Sequence, residues 1–133
     1  MTTGEEREQA FILLFEKSFN NDVDCDRLIE LAVESGVITK TSYTSKLFRL
    51  TSENIEEIDS FIEKYSKSWS VSRISKVSLA LLRLAICEIR FIEKVPAGVT
   101  INEIVNLCKK YSSEDEYSFV NGILGSYVKD ECK

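Results

Sequence analysis

A chain of 133 residues with 44% hydrophobic and 29% charged side chains has the size and composition of one globular domain, here residues 1-133, with a real core. One proline and five glycines leave little material for β-turns, which points to helices joined by short loops. The chain has no histidine, its four cysteines form no CxxC, and its formal net charge is -5. Those facts exclude Cys/His zinc sites and histidine acid–base catalysis, and they are unlike a generic nucleic-acid binder. No metal, cofactor or catalytic residue is expected. Polar residues come directly after Met1, so no signal peptide is visible, and a reduced, cytoplasmic protein is expected.

In chain order, the first helix is expected over Gly4 to Phe19, with Ala10, Phe11, Leu14 and Phe15 on its inner side. Thr3 is placed to cap it, with Glu6 as the third helical residue. Asn20-Asn21-Asp22 ends the pattern, and a second helix is expected from Asp24 to Ser35 with Gly36 as its stop. Ser42 to Tyr65 carries Leu47, Leu50, Ile55, Ile58, Phe61, Ile62 and Tyr65 at helical spacing; Thr51-Ser52-Glu53 leaves one helix or two open. The polar link 66–72 holds the only tryptophan, Trp69, a structural staple candidate, and Ser72, a candidate N-cap for the central helix.

The run from Ile74 to Ile92 is apolar around most of a helical cylinder, which places it in the middle of the domain. Its charges, Lys76, Arg83, Glu88 and Arg90, count against a membrane span. Lys76, Arg83 and Arg90 recur at i, i+7 and i+14, a stripe about 20 Å long at 1.5 Å per residue. The stripe reads either as a solvated face or as a contact region for a protein partner. Glu88 falls on the apolar side and needs donors; backbone N–H groups or hydroxyls near Thr100 are the expected ones.

Val95-Pro96 ends the central run, and the next helix is expected from Thr100 to Tyr111, with Thr100 and Glu103 spaced as a capping box. Ser113 and Glu116 repeat that spacing and open a last helix to about Val128. Phe119, Val120, Ile123, Leu124 and Tyr127 form its apolar side. The other side carries Asp115, Ser118, Asn121, Gly122, Gly125 and Ser126. Each mid-helix glycine costs about 1 kcal/mol relative to alanine, so close approach to that face is expected, most simply by another helix backbone. The count is six or seven helices around one core.

Four ordered motifs, Trp69-x3-Arg73-Ile74, Leu82-Arg83-Leu84-Ala85-x2-Glu88, Val95-Pro96-x5-Asn102-Glu103 and Phe119-Val120-Asn121-Gly122-Ile123-Leu124, strongly resemble the transcription antitermination factor NusB family. The resemblance implies an all-α fold of two packed antiparallel bundles and no catalysis. It also implies RNA binding at boxA together with NusE, a small ribosomal subunit protein, within an antitermination complex on RNA polymerase that supports ribosomal RNA transcription. It places RNA contacts at Arg7, the one arginine left where the family has an arginine-rich run, and at Phe15, Asp115, Phe119, Asn121 and Gly122. Partner contacts would fall on the part of the chain with Lys76, Arg83 and Arg90. The missing arginines make RNA affinity depend on the partner. Two alternatives are a mainly protein-binding adaptor with weak RNA affinity, and the helical RNA-binding domain of ribosomal RNA methyltransferases, which would need a catalytic domain beside it. Monomer and homodimer both remain open.

Overall fold

The computed structural model describes residues 1–67 and 70–132, so Trp69 lies outside the described residues. Among them are seven helices: α1 (Thr3–Phe19), α2 (Cys25–Glu34), α3 (Ser42–Glu53), α4 (Ile55–Tyr65), α5 (Lys76–Phe91), α6 (Ala97–Tyr111) and α7 (Glu114–Glu131). Helices α1 to α3 pack together as one bundle and α4 to α7 as a second, with α5 touching α1 and α3 as well as α4, α6 and α7. This is the expected all-helical, two-bundle architecture. The apolar wrap of the central run explains α5's position: Leu81, Leu82, Leu84, Ala85, Ile86 and Cys87 have no exposed surface. Burying one leucine or isoleucine side chain of this kind contributes about 1.5–3 kcal/mol. No helix of the described residues is long and apolar enough to cross a membrane.

Several helix ends lie one to three residues from their expected positions, each for a local reason. Thr2, not Thr3, caps α1, its extended backbone letting Oγ1 accept from Glu5 N–H at 3.1 Å. Ser75, not Ser72, caps α5 through Ser78 N–H at 3.2 Å, because a 3-10 turn over Val71–Arg73 comes first. The long Ser42 to Tyr65 pattern breaks at Asn54, whose Nδ2 donates to the Leu50 carbonyl at 2.8 Å in place of helical continuation. Pro96 opens α6 at Ala97, so Thr100 sits inside the helix and no capping box forms there. Ser113 does cap α7, accepting from Glu116 N–H at 3.3 Å, and α7 runs past Val128 to Glu131. Gly36 ends α2 at φ 78°, a left-handed conformation that disfavours any side chain.

The displaced start of α6 has a use. Thr100 turns its hydroxyl onto Glu88, which is 1% exposed, and Tyr43 of α3 donates its phenol to the same carboxylate. From α1, Arg7 Nε lies 2.8 Å from both carboxylate oxygens. One buried anion on α5 therefore joins α1, α3 and α6. Burial pushes the Tyr43 phenol well above its ordinary pKa, and the bond to Glu88 adds to that shift. Arg7, expected to contact RNA, is 3% exposed and committed to this cluster, which removes it from the outer surface. A second tie fixes the same bundle: Gln9 accepts from Thr39 N–H at 2.7 Å and donates to Thr44 Oγ1 at 3.1 Å.

Breaking a buried pair by removing one member leaves an uncompensated charge, at about 3–5 kcal/mol. Glu88→Ala and Arg7→Ala are each expected to lose that much stability in urea unfolding, while the double variant loses less than the sum. An unchanged midpoint for Glu88→Ala would contradict the role of this cluster.

Candidate nucleic-acid interface

The first turn of α7 is drawn onto the start of α5 by one carboxylate. Glu116 accepts from Ser78 Oγ at 3.0 Å and from the Ser75 hydroxyl. The junction leaves a cleft of about 320 Å³ lined by Ile74, Ser75, Ser78, Asp115 and Phe119. Asp115 is exposed on its rim. Phe119 is half-buried, resting against the core while lining the cleft, so it is neither a plain core residue nor a free platform. Asn121 and Gly122 lie exposed one turn further on.

The small face of α7 corrects one expectation. Apart from its own chain neighbours and the backbone of α7, no heavy atom lies within 4 Å of where a Cβ would stand on Gly122 or Gly125. Among the described residues no neighbouring helix backbone approaches, and these glycines face open space.

A second set of groups comes from α1. Phe11, Phe15 and Phe19 repeat at i, i+4 and i+8, with ring centroids 6.1 and 5.1 Å apart along the row. Phe11 is buried against Tyr111 at 5.0 Å, Phe15 is half-buried, and Phe19 is exposed. Lys76, next to the cleft residue Ser75, holds Nζ 5.1 Å from the Phe19 centroid. The start of α5 thus bridges the α7 cleft and the α1 aromatic row. The start of α5 adjoins Asp115 and Phe119 through Ser75 and, through Lys76, Phe19 with its neighbour Phe15; Asn121 and Gly122 are exposed but do not line the cleft, and Arg7 is buried. Sequence reasoning passed over Phe19 and its contact with Lys76, although the i, i+4, i+8 spacing was there to find.

The basic stripe is less available than its spacing indicates. Arg83 binds Asp59 of α4 through two bonds of 2.8 Å, with both side chains mostly covered. Arg90 pairs with Glu57 at 2.6 Å and lies over the Phe61 ring. Both arginines fasten α4 to α5, and neither stands in a merely solvated row. At the far end of α6, Lys110 pairs with Glu8 at 2.6 Å, while Lys109 stands over Tyr117. Cys87 and Cys108 are free and buried, and burial pushes both thiols up to about 11, so neither is a nucleophile at neutral pH. No group of acidic, cysteine or histidine side chains among the described residues is placed to hold a metal.

Fold and surface together define a small all-helical binding module. The NusB family pattern matches residues 4–129. The transcription antitermination protein NusB of Alkaliphilus oremlandii is 42% identical over 126 residues, spanning 94% of this chain and 91% of that protein. Its counterpart from Clostridium acetobutylicum is 42% identical over 130 residues, 96% of each. A crystal structure of the antitermination factors NusB and NusE in complex with dsRNA matches with TM-score 0.85 at 32% identity over 96% of each chain. NusB of T. maritima matches with TM-score 0.87 at 32% identity, over 98% of this chain and 92% of that one. The chain belongs to the NusB family, and its function is the non-enzymatic one of a transcription antitermination factor.

With open space at both glycines, Gly122→Ala and Gly125→Ala are each expected to raise stability by about 0.5–1 kcal/mol, the ordinary helix preference. A lowered melting temperature for both would show that something fills that space in solution.

Proposed function

We propose that this chain is an RNA-binding adaptor that grips boxA-type RNA together with NusE and carries the pair into an antitermination complex on RNA polymerase, supporting ribosomal RNA transcription. The observation that carries the reading is a strip in which the start of α5 stands between two half-buried rings, with Lys76 over Phe19 beside Phe15, and Ser75 on the cleft with Phe119 and Asp115. It is supported by the match to a NusB solved with NusE and dsRNA. Single-stranded RNA is read by stacking unpaired bases on aromatic rings and by bonds to base edges and 2′-hydroxyls. Phe15 and Phe119 supply the rings. Asp115 has only acceptors at neutral pH, so it takes a base amine or a sugar hydroxyl rather than a phosphate. Asn121 offers an amide, and Gly122 lets the backbone come close.

Charge decides how this adaptor works. Affinity for RNA rests largely on neutralising phosphates. Here the net charge is -5, the first turn of α1 carries Glu5 and Glu6, and Arg7 is inside. The strip therefore supplies selectivity, and a basic partner supplies most of the affinity. The partner's place is the α4–α5 face. There Glu56, Glu57 and Glu63 are exposed, and the Asp59–Arg83 and Glu57–Arg90 pairs offer an ordered polar surface. This revises the expected partner contacts: Arg83 and Arg90 act through α4, and Lys76 belongs to the other side.

The test is a titration of boxA RNA at several salt concentrations, with the chain alone and with NusE. Alone, binding is expected to be weak with a shallow dependence of log affinity on log salt; the partner raises both affinity and slope. Nanomolar binding by the chain alone overturns the division of labour. Phe119→Leu is expected to weaken RNA binding by about 1–3 kcal/mol, one stacked base. Unchanged RNA affinity would make Phe119 a core residue only.

A further inference from the structure

The row on α1 does not stop at Phe15. Phe19 lies one helical turn further, 59% exposed, with its ring 5.1 Å from that of Phe15 in an edge-to-face arrangement. A phenylalanine this open contributes little to the core and carries no hydrogen-bonding group that would suit it to water. Above it stands the Lys76 ammonium, 5.1 Å from the ring centroid. Among the described residues Lys76 makes no ion pair, whereas Arg83 and Arg90 on the same helix both do. Lys76 also lines a cleft of about 220 Å³ between the two bundles, whose wall includes Ser52, with a buried hydroxyl oxygen that has no hydrogen-bond partner.

We infer that Phe19 and Lys76 form a further nucleotide position on the RNA path: Phe19 stacks the base next to the one on Phe15, and Lys76 meets that nucleotide's phosphate. This rests on the RNA-binding role proposed for the strip and extends it by one site. The chemistry selects a nucleotide over a protein side chain. An aromatic face suits any base, and the cation over the ring is placed for the negative charge that every nucleotide carries beside its base. An apolar protein surface pressed on Phe19 would strip water from Lys76 and offer it no anion, an unfavourable burial of charge. The position also accounts for a local cation on a chain whose balance is acidic. The strip would then run without a gap from the α7 cleft through Ser75 and Lys76 to Phe19 and Phe15.

The experiment uses the full chain with NusE and single-stranded boxA RNA. Phe19→Ala is expected to weaken RNA binding by about fivefold to a hundredfold, while Phe19→Tyr, which keeps the ring, retains it. Lys76→Gln is expected to lower the slope of log affinity against log salt by roughly 0.7, the share of one phosphate on a single strand. Melting temperatures should match the wild type, because both side chains are exposed. Phe119→Leu, run in parallel, separates the two claims. If it weakens RNA binding and Phe19→Ala does not, the extra position is wrong and the interface stands. If wild type binds no RNA with the partner present, both fall. If Phe19→Ala weakens NusE binding without RNA, the exposed ring is a protein contact and the inference is overturned.

Discussion

Everything on the surface depends on one carboxylate that never reaches it. Glu88 sits toward the end of α5 on its apolar side, and an anion there is tolerable only with donors on all sides. Four elements answer that demand: α5 provides the charge, α1 the guanidinium, and α3 and α6 a hydroxyl each. Apolar residues in place of both Glu88 and Arg7 could hold the same volume, and for buried pairs such joint replacement is often neutral or better. What hydrophobic packing lacks is direction. A guanidinium donating to both carboxylate oxygens fixes the rotation of α1 about its own axis, because Arg7 must point inward.

That rotation sets what α1 shows to the outside. With Arg7 inward, Ala10, Leu13 and Leu14 are buried with it, and the row Phe11, Phe15, Phe19 runs along the neighbouring edge from the interior to the surface. The cluster and the aromatic row are thus two faces of one constraint. A parallel device governs α7, where Glu116 holds the first turn against Ser75 and Ser78 and leaves Asp115 and Phe119 on the cleft. In both helices a carboxylate bonded to a neighbouring helix determines which nearby residues are left toward the surface. The two devices meet on α5, since Glu88 lies toward its end and Ser75 at its start.

The architecture was legible because its signals are local: periodicity marked every helical stretch, leaving only the break between α3 and α4 open, and the apolar run from Ile74 to Ile92 identified the centre. Helix ends were less legible where several hydroxyls compete. Ser70, Ser72 and Ser75 all offer an N-cap, and only the intervening 3-10 turn decides for Ser75. The Arg7–Glu88 pair spans 81 positions, and no local pattern announces a partner at that distance. A resemblance even pointed the wrong way, because it located Arg7 in an RNA-gripping segment without saying which side of α1 it occupies. The stripe on α5 shows the limit of spacing arguments from the other direction. An i, i+7, i+14 pattern says that Lys76, Arg83 and Arg90 share a face, but carboxylates of α4 pair with two of the three. Likewise the glycines of α7 marked a face kept small, and only the structure shows that no helix among the described residues occupies it.

The ion pairs explain why an acidic chain can belong to an RNA-binding family. Arg7, Arg83 and Arg90 have carboxylate partners on other helices, so their charge serves the packing of α1 and α4 onto α5. Lys64 and Lys110 likewise pair with Glu131 and Glu8, on α7 and α1. Cations spent on internal pairs do not release counterions from RNA, and phosphate neutralisation is what makes such affinity strong. Stacking and base-edge contacts do not need net charge; they need rings and donors held at fixed positions, which is what the buried cluster secures. On the proposed reading, a module built this way contributes selectivity more than affinity. In the proposed reading its affinity comes from a basic partner, with the acidic face of α4 as the surface that receives it.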